Sequence, residues 1–288
     1  MAIGNLASRF LVAVIAVPIV LLIVLQHSVV PTWGLVLVAS VLAMYEWFAM
    51  TLEDRTDRIA STIFGALACI AYFWMSRHTL EAVGATGPRW AALTDNDFAV
   101  LAFAVLAPLL YYLFRFGEIE TVAKRAAFTI AGIVYAGLCF TVLAKIDVYF
   151  GGYMVIFVLV VAWIGDTGAY FAGRFLGDKK LYPAVSPKKT WAGAWGGLAG
   201  SIAGGLIMRA LFPKEIALSW ADVVLIAGPG AILGQMGDLA ESLMKRSTGV
   251  KDSGGLLGGH GGLLDRVDAV LFLGPYLLLY VQVRAFIG

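Results

Sequence analysis

Long apolar segments, parted by short polar breaks, make up nearly the whole of this chain. They run over residues 9–26, 31–50, 59–76, 98–116, 126–144, 152–173, 191–211, 219–237 and 267–287. Each is near the roughly 20 residues that an α-helix needs to cross a bilayer. Within lipid, backbone N–H and C=O groups must be satisfied by a helix or by a closed barrel. Barrel strands would alternate polar and apolar positions, and these segments do not. The pattern predicts an all-α polytopic membrane protein of about nine transmembrane helices. The run after Arg9 has signal-peptide character but no small-x-small cleavage site before the next apolar run, so it is expected to stay as the first span.

Composition closes off the other classes. Of 288 residues, 60% are hydrophobic and 14% charged, and the mean hydropathy is +0.86. A soluble domain carries about 25% charged residues, so a water-soluble enzyme and a disordered chain are both excluded. The 33 glycines follow no G-X-Y period, which excludes collagen. A net charge of +2 gives no basis for a nucleic-acid partner. Cys69 and Cys139 sit in apolar runs without C-x-x-C spacing and are expected to be buried free thiols.

Where the charges fall sets the orientation. With nine spans, the N-terminus and the loops after spans two, four, six and eight share one side. That side holds 15 Lys and Arg residues, among them Arg174, Lys179, Lys180, Lys188, Lys189, Lys245, Arg246, Lys251 and Arg266, against 6 on the other. The positive-inside rule makes the richer side cytoplasmic. Neither a repeat nor a linker is visible, so residues 1–288 are expected to form a single integral-membrane domain. Residues 1–150 read as scaffold helices and 151–288 as the catalytic half, because charges cluster at 166–180, 186–190 and 235–268.

Asp166 lies inside an apolar run, where an ionised carboxylate costs roughly 2.5–3.5 kcal/mol on the insertion scale. Tyr170 and Arg174 follow on the same helical face. Asp166 is either half of an internal ion pair or a carboxylate lining a polar cavity. Ser186-Pro-Lys188-Lys189-Thr190 reads as a loop that brings two ammonium groups and two hydroxyls to the helix N-terminus at Trp191. Such a place favours an anion, although a basic pair at a membrane edge also serves topology or headgroup contact. The glycines from Gly193 to Gly204 show small-xxx-small spacing and read as close helix packing.

Gln235, Asp238, Glu241/Ser242 and Lys245 form one polar stripe on a helix leaving the bilayer. Two acids three residues apart offer oxygen ligands to a hard cation. Seven of the fourteen residues from Gly249 to Gly262 are glycine, a stretch that also holds Lys251, Asp252 and His260. Glycine lets backbone N–H groups approach phosphate oxygens. Asp265, Arg266 and Asp268 follow at the mouth of the last span. Carboxylates beside a basic, glycine-rich cradle suit magnesium-assisted phosphoryl or nucleotidyl transfer.

The run Ser242-x-Met244-Lys245-Arg246-x4-Lys251-Asp252-x-Gly254, continued by Gly258-x-His260-Gly261-Gly262-x2-Asp265-Arg266-x-Asp268, resembles the signature of phosphatidate cytidylyltransferases, the CDP-diacylglycerol synthases. Asp166-Thr-Gly-Ala-Tyr-Phe-Ala-Gly-Arg174 and the SPKKT segment are similar to that family too. The likeness covers 166–268, about a third of the chain. Gly258 stands where the family often has Pro, and Ala192 where a Glu commonly follows SPKKT.

The resemblance implies that CTP and phosphatidic acid give CDP-diacylglycerol and pyrophosphate with a divalent metal, Mg2+, and a second cation as an option. It maps the metal carboxylates onto Asp238 and Asp265, with Asp268, Asp166 and Glu241 as weaker candidates. Asp265, Asp238, Lys251 and Arg266 are the expected catalytic set. Ser186, Lys188, Lys189, Thr190, Lys245, Arg246, Asp252, His260, Gly261 and Gly262 are the expected contacts to triphosphate and lipid phosphate. His260 is alternatively a structural hydrogen-bonder. CTP, phosphatidic acid and membrane lipids are the expected partners, with a homodimer as an option. The expected location is a bacterial inner (cytoplasmic) membrane, the site facing the cytoplasm. A CTP-dependent lipid kinase, a secondary transporter and a non-catalytic lipid-binding scaffold compete with this reading. Serine hydrolase chemistry is disfavoured, since His27 and His78 fall in loops of the opposite face.

Overall fold

The computed structural model describes residues 16–26, 28–83, 97–255 and 261–287. The beginning of the first expected span, His27 and His260 lie outside the described residues. After a helical stretch over 16–24 come α1 (Val29–Thr51), α2 (Arg55–Val83), α3 (Asp97–Phe114), α4 (Ile119–Gly132), α5 (Cys139–Phe150), α6 (Gly152–Leu176), α7 (Trp191–Leu211), α8 (Trp220–Ser247) and α9 (Leu264–Ile287). The all-helical expectation is met, apart from one antiparallel hairpin of β1 (Lys180–Tyr182) and β2 (Ser186–Thr190). The segment expected as a loop, SPKKT, is thus a strand, reversed on β1 by a turn in which the Val185 N–H donates to the Tyr182 carbonyl.

Among the described residues seven helices are long and apolar enough to cross a membrane: α1, α2 to Glu81, α3, the run Ile119–Phe150, α6, α8 and α9 to Ala285. This is an integral membrane protein. The expected span at 191–211 is helical as α7, but its six glycines dilute its apolarity and it falls outside those seven. The expected span at 126–144 is too short. A π-helical segment, Ile133–Leu138, joins α4 to α5 without a break, giving 32 residues from Ile119 to Phe150.

The chain forms two compact units: residues 1–149 with Asp252–Arg266, and Phe150–Lys251 with Val267–Gly288. In the first, the core gathers around Met44, Phe48, Phe73 and Ile133. Gly132 lets α4 lie against α1, since a Cβ there would stand 2.4 Å from both Trp47 and Phe48. Trp47 Nε1–H donates to the Phe128 carbonyl at 3.0 Å and ties the same two helices. Asp57, 1% exposed, draws Tyr111 (2.8 Å), Arg115 (3.2 Å) and Arg125 (3.0 Å) onto its carboxylate. A buried charge is tolerated when it is paired in this way. In the loop before α2, Asp54 accepts from the Thr56 and Asp57 amides and caps the helix. The Asp57 amide, helped by Arg115, holds the Asp54 carboxyl below the usual carboxylate range.

The second unit is built on glycine contacts between α6 and α7. A Cβ on Gly168 would lie 2.4 Å from the Gly196 carbonyl oxygen, and one on Gly196 would lie 2.3 Å from Ala172 Cβ. The small-residue spacing read in α7 therefore does serve close packing. Since backbone cannot yield as a flexible side chain does, Gly168→Val is expected to cost about 1–3 kcal/mol or more. Gly34→Val, which meets nothing within 4 Å, serves as control. Thermal unfolding in detergent checks the pair: the first variant should melt lower, and the second should melt as the wild type does.

Candidate active site

Three elements of the second unit bring polar groups together. On α6, Asp166, Tyr170 and Arg174 recur at four-residue intervals, and the Arg174 guanidinium donates to the Tyr170 hydroxyl at 2.7 Å. The hairpin carries Lys188 and Lys189 and ends at Thr190, whose Oγ1 accepts from the Gly193 amide at 3.1 Å and caps α7. Helix α8 runs ten residues past the expected end at 237, as far as Ser247, and so presents Gln235 and Asp238 on a continuous face. All eight of these side chains, with Gly173, Leu181 and Ala194, line one cavity of about 450 Å³.

Two of the lining side chains form an ion pair. Lys189 Nζ lies 2.6 Å from Asp238 Oδ2, and Nζ also donates to the Gln235 carbonyl at 3.4 Å. Ser242 Oγ donates to Asp238 Oδ1 at 3.4 Å. Gln235 Nε2 donates to the Ala194 carbonyl at 3.1 Å, which joins α8 to α7. The half-buried Asp268 carboxylate lies in the field of Asp238, Glu241 and Asp166. Like charges gathered near a low-dielectric wall make a place for a cation. Lys189 supplies one.

Several expected contacts are elsewhere. Glu241 and Lys245, both buried, meet each other at 3.0 Å one turn apart. Arg246 donates to the Val250 carbonyl at the end of α8. Ser186 sits on the hairpin but does not line the cavity. Lys251 and Asp252 are exposed. Among the described residues no three Asp, Glu, His or Cys side chains form a metal-holding group.

From Asp252 onward the glycine-rich segment belongs to the first unit. Asp265 Oδ2 accepts from the amides of Ser253 (3.0 Å) and Gly262 (2.9 Å), which ties these two residues to the start of α9. The Gly262 N–H, expected on a phosphate, thus goes to Asp265. Gly261 has φ +77°, a backbone that side chains rarely adopt, and a Cβ there would stand 2.7 Å from Asp265 Oδ2. Sequence reasoning missed Glu46 of α1. Its carboxylate is 6% exposed and accepts from Ser253 Oγ (3.3 Å) and from the amides of Leu263 (3.0 Å) and Leu264 (2.9 Å). The available signal was a single acid inside the apolar run 41–50, the same signal that singled out Asp166.

Comparison with known proteins agrees with the signature. The model of the cytidylyltransferase family matches residues 7–284. The phosphatidate cytidylyltransferase of Brucella suis is 45% identical over 157 residues, 54% of this chain and 57% of the relative, so the match spans little more than half of that protein. The Bacillus subtilis enzyme of the same name is 38% identical over 185 residues, 62% of this chain and 64% of the relative. That of Staphylococcus haemolyticus is 35% identical over 234 residues, 76% and 79%. With the family's model covering nearly its whole length, this chain belongs to the cytidylyltransferase family.

Proposed function

We propose that this protein transfers CMP from CTP to phosphatidic acid, giving CDP-diacylglycerol and pyrophosphate. The observation that carries the reading is the pairing of two adjoining spaces. In the 450 Å³ cavity the cations Arg174, Lys188 and Lys189 stand with the acids Asp166 and Asp238. Beside it, sharing Leu181, Ala194 and Gln235 as wall, lies an apolar pocket of about 370 Å³ lined by Trp191, Trp195, Leu198, Met236 and Leu239. A phosphate ester on an acyl-bearing glycerol has the same two-part chemistry. The names of the relatives supply the reaction.

The nucleophile is a phosphate oxygen of the lipid, already anionic. It attacks the α-phosphorus of CTP, the new P–O bond forms as the bond to the β-phosphate bridging oxygen breaks, and pyrophosphate leaves with that electron pair. No general base is required, so the protein's task is to neutralise charge and hold the partners in line. Lys188, Lys189 and Arg174 serve the phosphates as point charges and as a fork. Asp238 and Asp268 are the acids of this cavity region on which a divalent cation would be held, and the family signature adds Asp265 as a metal carboxylate. Magnesium usually takes one or two carboxylates and completes its shell with water and substrate phosphate, so a site without a three-acid cage fits it. Once bound, it would offset the charge that builds on the phosphate oxygens. Lys189, paired with Asp238 in the free protein, is then available to the triphosphate.

The deciding assay is pyrophosphate release by purified protein given CTP, phosphatidic acid and magnesium. Release of CDP in place of pyrophosphate would make the protein a lipid kinase, and release of neither would refute group transfer. Chelation should silence the activity and magnesium should restore it. We also place this site at the cytoplasmic face, on the strength of the 15-to-6 distribution of Lys and Arg. Lys180, exposed on β1, is the position to test it. In the variant Lys180→Cys, a membrane-impermeant thiol reagent should label inverted vesicles and leave intact cells unlabelled. Labelling from outside intact cells would reverse the topology.

A further inference from the structure

We propose that Glu46 is a positioning residue for the transfer step: from α1, in the half of the chain that reads as scaffold, it latches the glycine-rich loop and so sets the Asp265 carboxylate. This rests on the activity proposed above. Burying an ionised carboxylate is costly unless donors surround it, and Glu46 has three, all from one short stretch of chain. Leu263 N–H reaches Oε1, while Leu264 N–H and Ser253 Oγ–H reach Oε2. Leu264 is the first residue of α9, and the first amides of a helix have no partner within it. Glu46 satisfies that end from outside, where the helix dipole also favours a negative charge.

The loop is shaped to receive this group. A Cβ on Gly254 would lie 2.5 Å from Glu46 Oε1, and one on Gly262 would lie 2.4 Å from Oε2. These two glycines leave a slot of one carboxylate's width. Asp265 then closes the same stretch from the other side through the Ser253 and Gly262 amides. Ser253 and the 262–264 segment are thus held between two acids, one on α1 and one on α9. Loss of Glu46 would release the start of α9, and with it the orientation of Asp265, without removing any group that touches substrate.

The test uses Glu46→Gln and Ser253→Ala in the full chain, in detergent micelles with phosphatidic acid. Glutamine keeps the length but turns an NH2 toward backbone N–H donors. Glu46→Gln is expected to lower kcat about 10- to 100-fold, the range for partners that orient a metal ligand, with the KM for CTP within about 3-fold. Hydrogen exchange at Leu263 and Leu264 should rise at least 10-fold. Ser253→Ala, which leaves both amide bonds in place, should keep kcat within about 3-fold. Wild-type kcat in Glu46→Gln overturns the proposal, as does a fall in kcat with those two amides still protected. If Glu46→Gln does not fold, Gly254→Ala decides, because its methyl group would press the carboxylate from its slot. It should show the same exchange and kcat changes, and wild-type values in it overturn the proposal. Wild-type protein that releases no pyrophosphate would refute the activity, not the latch. The latch is then judged by exchange alone, and unchanged exchange in the variant overturns it.

Discussion

Asp265→Asn is expected to lower turnover by at least about 10²-fold, the scale of losing one preorganised electrostatic group, with folding preserved. Asp265 uses one oxygen, Oδ2, to accept both the Ser253 and Gly262 amides. An asparagine carbonyl placed there accepts both as well, so the loop keeps its closure while the negative charge goes. For the role that the family signature implies, the loss falls on kcat and on the magnesium requirement, and not on the melting temperature. Steady-state kinetics at several magnesium concentrations, beside thermal unfolding, check this. Near-wild-type turnover at ordinary magnesium would remove Asp265 from the reaction.

The double variant Lys188→Gln/Lys189→Gln should lose about 10²- to 10⁴-fold in kcat/KM for CTP. A hydrogen bond to a charged group contributes about 1.5–3 kcal/mol, two are lost, and each 1.36 kcal/mol is a factor of ten. The Lys189–Asp238 pair sharpens the expectation for the single variant. Lys189→Gln leaves Asp238 without its 2.6 Å partner, so the magnesium needed for half-maximal rate should fall while the CTP requirement rises. Opposite movements of the two constants are not expected of a lysine that only marks topology. Wild-type constants in the double variant would return both residues to that role.

Much of this was legible in the chain, for reasons that differ by element. The helices announced themselves because lipid forbids unsatisfied backbone, so α1, α3, α6, α8 and α9 begin within three residues of the expected starts. The far ends were less legible. Apolarity ended the eighth span at 237, whereas the three- and four-residue spacing from Gln235 to Lys245 marked the helix that leaves the bilayer, and α8 does continue to Ser247. The π segment leaves no polar break to read. Lys188, Lys189, Asp238 and Asp166, which share one cavity, were singled out because charge is scarce here and its position therefore informative. Pairings were not legible: nothing in spacing says that Lys189 faces Asp238, and Lys245 with Glu241 was read as two ligands, not as one ion pair. Glu46 was passed over because its donors lie more than 200 residues away.

The length of α8 bears on what the proposed reaction demands of its lipid. Twenty-eight residues at about 1.5 Å each make about 42 Å, against a hydrocarbon layer of about 30 Å. If Trp220 marks one boundary of that layer, the other falls close to Asp238, and Glu241 to Ser247 stand among the headgroups. Phosphate esters of membrane lipids occupy that same depth. A substrate met there keeps its tails in the bilayer throughout, whereas lifting one into water would cost about 0.8 kcal/mol for each methylene, of order 10 kcal/mol for a single long chain. Turnover would then be limited by sideways diffusion and by the arrival of nucleotide, never by extraction.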